Sequence, residues 1–158
     1  LFGAASGFML ATFFAAWQGS AQTGFFAAWA VILTVLVLIT RAASLVRNAR
    51  IKHKSTMQSA IGIRHAHIEQ KAQGFMGGSF NTREYFHGAS PRKYKNVKWA
   101  FLLLVFPLPM ALLTGGLLTN INGFYLAAFL VQYVGLIMER WFFFAQAKHP
   151  QNLYYQTV

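Results

Sequence analysis

"WAFLLLVFPLPMALLTGGLL", residues 99–118, decides the fold of this chain. The stretch carries no charged side chain, and about 20 apolar residues are what a helix needs to cross a bilayer's hydrocarbon. Pro107 and Pro109 stand inside it. Each removes a backbone donor and predicts a bend. In a membrane such a bend persists where neighbouring helices or water satisfy the freed carbonyls. Two readings of the bend are open: it shapes a packing helix, or it opens a small cavity.

Three more apolar stretches lie outward from this one. "NGFYLAAFLVQYVGLIMERWFFF" (122–144) follows after only "TNI" (119–121). Upstream, "FFAAWAVILTVLVLIT" (25–40) extends through Ala43 to Val46, and "LFGAASGFMLATFFAAW" (1–17) is slightly short for a span. Gly3 and Gly7, continued by Ala11 and Ala15, form a small-xxx-small stripe that predicts close helix packing. The expected fold is an all-α membrane protein, a single domain over 1–158. Its four transmembrane helices, about 1–17, 25–46, 99–118 and 122–144, form an antiparallel bundle. The opening at Leu1, within an apolar run, fits neither an initiator Met nor a signal peptide. It predicts that the chain is part of a longer polypeptide.

Composition agrees. The 158 residues are 56% hydrophobic and 11% charged, against about 25% charged in a soluble domain. Lys and Arg outnumber Asp and Glu by 14 to 3. In a membrane protein that imbalance reports orientation rather than a nucleic-acid partner. Twelve of the fourteen cations fall within 41–98; Arg140 and Lys148 lie at the far end of the last span, on the same side. The short connections 18–24 and 119–121 carry none. The positive-inside rule therefore places the long basic loop and the C-terminus in the cytoplasm. No cysteine is present, so neither a disulfide nor a thiolate-held iron–sulfur cluster belongs to this chain.

The loop 41–98 is expected to contain an amphipathic helix. "STMQ" (55–58) fits a capping box, with Ser55 as cap and Gln58 reaching back. Met57, Ile61, Ile68, Ala72 and Phe75 then recur at helical intervals, predicting about five turns that end near Gly74 or Gly77. "GFMGGSFNTREYFHGASP" (74–91) follows. Its glycines permit a sharp turn, and "NTREYFH" makes a short helical element stopped by Gly88 and Pro91. Without a preceding strand or a phosphate-binding Lys, "GFMGGS" is no P-loop. Arg83, Glu84 and His87 gather on this element. Either they pair locally in a tucked loop, or they form a docking surface or the lip of a ligand site. Arg64, His65, Asn81, Arg83 and Tyr85 are the docking candidates.

In the last span Gln132, Glu139 and Gln146 recur every seven residues and share one helix face, which is expected to point into protein. Glu139 is either a proton acceptor near a quinone or an interfacial acid paired with a loop cation. Arg140 is its neighbour in sequence but not on the helix face. None of the five histidines sits mid-span, so the bundle offers no axial haem ligand. His65 and His67 do not share a helix face, and no metal site is expected.

Three segments resemble a known family. "QGFMGGSFNTREYFHG" (73–88), "VKWAFLLLVFPLP" (97–109) and "ERWFFFAQAKHPQNLYYQ" (139–156) are similar to the membrane-anchor subunits of DMSO-reductase-type enzymes. They cover about a third of the chain, and the first is the most distinctive. The resemblance implies the C-terminal half of an eight-helix anchor in a bacterial inner membrane. Such anchors take electrons from a quinol (menaquinol or ubiquinol) and pass them to an iron–sulfur subunit and a molybdenum catalytic subunit. Those partners hold the iron–sulfur clusters and the molybdenum cofactor. The family's quinol-site residues fall mostly in the half this sequence lacks, so none is carried over. Glu139, Arg140, His87 and Glu84 are the quinone and proton-relay candidates, chosen from the residues alone. Two other readings remain: an integral-membrane transferase, suggested by "KHP" (148–150) with a glutamate upstream, and a structural anchor that binds no quinone.

Overall fold

A computed structural model describes residues 1–51, 56–68 and 90–146. Its helices are α1 (Phe2–Trp17), α2 (Thr23–Arg50), α3 (Met57–Ile61), α4 (Pro91–Val105), α5 (Pro107–Thr119) and α6 (Asn122–Gln146). All regular structure among the described residues is helical. Three apolar helices are long enough to cross a membrane: α2, α4–α5 taken together across their break, and α6. The apolar α1 is shorter. At 1.5 Å per residue α2 is about 42 Å long, more than the roughly 30 Å of hydrocarbon. The chain is a multi-pass membrane protein.

The core is narrow because the bundle's exterior is apolar too. Phe25, Ile32, Ile39, Leu103, Leu130 and Ile137 all face outward, as lipid-facing residues do. The inward residues of α2 are Ala27, Ala30, Thr34, Val37 and Arg41. Those of α6 are Tyr125, Ala128, Gln132, Gly135, Glu139 and Phe142. Both sets step alternately by three and four, the seam of a left-handed bundle. Helix α1 packs on α2 and α6, and α6 packs on α4 and α5. One core cluster, around Phe101, Phe106 and Phe142, fills the end nearest the long loop. The other, around Met9, Leu113 and Tyr125, fills the end with the short turns.

Turn chemistry sets the helix ends. Gly19 adopts φ 64° after α1, and Asn120 adopts φ 56° after α5, its amide donating to Gly116 O at 2.8 Å. Left-handed termination of this kind favours Gly and Asn. Pro91 begins α4, and the short element expected before it lies outside the described residues. Ser90 caps α4, accepting from the Lys93 amide at 3.4 Å. Proline suits a first helical position because the N–H it lacks would be unpaired there. Lys93, Lys95 and Lys98 thus belong to a helix rather than to the loop.

Two other expectations are corrected. The capping box lies one residue later than "STMQ". Thr56 is the cap, and Ser59 completes the reciprocal pair. The helix it opens ends at Ile61, where Gly62 turns left-handed at φ 73°. Glycine makes that exit cheap, so the five-turn helix does not form across residue 62. Its continuation beyond residue 68 lies outside the described residues. The glycine end of the small-residue stripe of α1 also faces away from the bundle, whereas Ala15 at its other end is buried. Gly3 and Gly7 are exposed, with open space where a Cβ would stand. The packing face of α1 is Ala5, Ser6, Met9, Thr12 and Ala15.

The proline bend is tightly packed. The helix breaks at Phe106 (φ −111°, ψ −79°), with Val105 and Phe106 both buried. Pro109 has no N–H to offer the carbonyl four residues earlier, which is that of Val105. Gln132 Nε2 of α6 donates to that carbonyl instead, at 3.4 Å, and to Thr34 Oγ1 of α2 at 3.3 Å. Gln132 is therefore the neighbouring-helix partner the bend requires. Gln132→Leu should lower stability by about 1 kcal/mol. It strands the Val105 carbonyl, but it also removes the Gln132 Oε1 atom, which is buried without a hydrogen bond. In a Pro109→Ala background the restored amide can serve Val105, and the loss should shrink. Thermal unfolding of the four variants in detergent tests this.

Candidate functional site

The site lies at the loop end of the bundle, where α1, α2 and α6 meet. About 27 Å along α2 from Thr23, after a run with no charge, stands Arg41. It is 6% exposed. Glu139 of α6 is 4% exposed, and its Oε1 lies 2.8 Å from Arg41 Nη2. The two heptad seams bring the pair together, since Val37 and Arg41 continue one and Gly135 and Glu139 the other. The Arg41 guanidinium also lies 5.7 Å from the Phe101 ring centre, 6.0 Å from Phe142 and 5.9 Å from Phe143. Aromatic faces attract a cation in this range.

The ion pair leaves the guanidinium under-satisfied. A guanidinium carries five N–H donors. Nε and Nη2 of Arg41 are buried and make no hydrogen bond among the described residues. Nη2 touches Glu139 as an ion pair, without the alignment of a hydrogen bond. A cleft of about 410 Å³ reaches the pair. Thr40, Arg41, Ser44, Glu139 and Arg140 give it polar walls; Phe2, Leu136 and Phe143 give it apolar ones. Thr40 and Arg140 are exposed at its mouth. Such a site presents buried donors to any group bearing acceptor oxygens.

Glu139 thus pairs with a cation, but that cation rises from within α2 rather than from the loop. Arg140 points elsewhere: it is exposed, with its guanidinium 5.7 Å from the Phe143 ring centre and 5.3 Å from Phe144. Gln146 continues the polar face, with its Oε1 buried and without a hydrogen bond among the described residues. Arg64 and His65 are exposed just after α3, far along the chain from the pair. His65 Nδ1 accepts from the His67 amide at 3.1 Å, closing a local turn. Asn81, Arg83, Glu84, Tyr85 and His87 lie outside the described residues.

By sequence Arg41 reads as the first cation of the basic loop, which hides its place in the site. Its register is the signal that could reveal it, since 27, 30, 34, 37 and 41 form one stripe with Arg41 as its last member. A buried acid on the facing helix calls for a cation there.

The arrangement defines a class: a polytopic helical bundle with a buried ion pair at its basic end and a cleft leading to it. Comparison with known proteins narrows this. Over 156 residues, 99% of its length, the chain is 54% identical to a sulfite dehydrogenase subunit of Allochromatium vinosum. It spans about half of that relative, 48% of its length. No family model matches the chain, and no solved structure does.

Proposed function

We propose that this chain forms part of the membrane-anchor subunit of an oxidoreductase complex and exchanges electrons between a membrane quinone and a partner iron–sulfur subunit. The observation that carries this is the 54% identity, along nearly the whole chain, to a subunit named for a sulfite dehydrogenase. The multi-pass bundle gives such a subunit its place in the membrane. A dehydrogenase withdraws electrons from its substrate. Sulfite and water would yield sulfate, two protons and two electrons. Two electrons and two protons then convert a quinone, ubiquinone or menaquinone, to its quinol. Flow therefore runs toward the membrane. With no cysteine in this sequence, the iron–sulfur clusters and the molybdenum cofactor reside in partner subunits, which is where sulfite reacts. The basic loop and the C-terminus face the cytoplasm of a bacterium, where those partners dock.

The experiment is purification of the full-length protein from its host in mild detergent, with metal analysis and a sulfite-dependent assay on a soluble quinone. The expected result is co-purified subunits bearing iron and molybdenum, and quinone reduction that requires sulfite. A lone protein without either metal, or a metal-bearing complex that leaves quinone oxidised, overturns the reading. For orientation, a cysteine at Ser90 should react with an impermeant thiol reagent only in inside-out vesicles. Labelling in right-side-out vesicles would invert the topology.

A further inference from the structure

We propose that the cleft at Arg41 is a binding site for the phosphate of an anionic phospholipid. The buried guanidinium carries this, independently of the quinone reading. Nε of Arg41 is enclosed in protein and makes no hydrogen bond among the described residues, while Nη2 meets the Glu139 carboxylate at 2.8 Å; Arg41 lines a cleft that opens beside it. Buried donors are costly unless an acceptor meets them. The cleft has room for one, at about 410 Å³.

Charge selects the acceptor. Two arginines, Arg41 within and Arg140 at the mouth with its guanidinium over Phe143 and Phe144, line the cleft with a single carboxylate, Glu139. The cleft is therefore net positive, and a neutral carbonyl compound leaves that charge uncompensated. A phosphodiester neutralises it and brings two anionic oxygens, to which arginine bonds strongly. Ser44 adds a hydroxyl at the rim, one turn beyond Thr40, whose own hydroxyl donates to the Leu36 and Val37 carbonyls.

Depth selects the source. Arg41 lies about 27 Å from the opposite end of α2, close to the far edge of a hydrocarbon layer of roughly 30 Å. That is where lipid phosphates begin. Phe2, Leu136 and Phe143 wall the cleft with apolar surface suited to the glycerol and upper acyl chain. A free phosphate ion has no use for such walls.

The test uses the full-length protein, stripped of lipid in detergent and then mixed with phosphatidylglycerol or phosphatidylcholine. Native mass spectrometry counts the lipids retained. One phosphatidylglycerol should be held about tenfold more tightly than phosphatidylcholine, the ratio that one charge-assisted hydrogen bond supplies. The double variant Arg41→Met/Glu139→Leu should lose the preference. Ser44→Leu, which narrows the cleft but keeps the ion pair, should also weaken retention without lowering the unfolding temperature. Equal retention of the two lipids overturns the proposal, as does a preference that survives the double variant. Displacement by millimolar inorganic phosphate, or by a quinone analogue, assigns the cleft to another ligand and overturns it too. Each of these outcomes leaves sulfite-dependent quinone reduction to be judged separately.

Discussion

Arg41→Met alone is expected to destabilise the bundle by about 3–5 kcal/mol, the cost of stranding a buried charge when its partner is removed. Glu139 is 4% exposed and its carboxylate meets Arg41 at 2.8 Å. The three phenyl rings around the guanidinium offer the carboxylate nothing in its place. Glu139→Leu should cost a similar amount for the mirror-image reason. The double variant Arg41→Met/Glu139→Leu separates charge from shape. Replacing a buried pair by apolar residues of like size is often neutral, or stabilising by about 1–4 kcal/mol. Unfolding of the four proteins in a common detergent, followed by circular dichroism, gives the coupling between the sites. A double variant as unstable as either single one would show that the pair does not act as a charge-compensated unit. A lipid phosphate bound at Arg41 adds a further sign: its release on mutation should make the single Arg41 variant less sensitive to added phosphatidylglycerol than the native chain.

The helices are legible in the sequence because hydrocarbon imposes length and apolarity on every span. The two seams are less so, since a membrane helix is apolar on both sides and its buried face stands out only through small or polar residues. On α6 those are Gln132 and Glu139, and their seven-residue spacing locates the correct face. On α1 the same logic points the wrong way. Gly3 and Gly7 are small but exposed, while the contact face uses Ala5, Met9 and Thr12. Small residues permit close approach without saying to which neighbour. Arg41 is hard to place because charge, read along the chain, marks where a loop begins, whereas a paired arginine tolerates burial. The bend is readable from Pro107 and Pro109, but its stitch to Gln132 depends on which helix lies opposite, and only the tertiary arrangement supplies that.

Gly135→Ala should lower stability where Gly3→Ala and Gly7→Ala leave it unchanged or slightly raised. A Cβ at residue 135 would stand 2.8 Å from Val105 Cγ2, 2.9 Å from Leu104 Cβ and 3.0 Å from the Leu104 carbonyl carbon. The Val105 methyl can rotate aside, but the Leu104 backbone moves only if α4 moves. Overpacking of this kind costs about 1–3 kcal/mol, offset by about 1 kcal/mol of helix propensity gained over glycine. Gly135→Ala should therefore lose up to about 2 kcal/mol, and Gly135→Val more. At Gly3 and Gly7 the added methyl meets nothing, so only the propensity gain remains. The loss at Gly135 should also be coupled to the bend. Gln132 sits one turn away on the same seam, and moving α4 off α6 draws the Val105 carbonyl away from Gln132 Nε2. Gly135→Ala combined with Gln132→Leu should then cost less than the two single losses added, since contacts shared between neighbouring residues are lost only once. Strict additivity would mean that α4 accommodates the methyl without shifting at Val105, and that the close approach at Gly135 is independent of the hydrogen bond that stitches the proline bend.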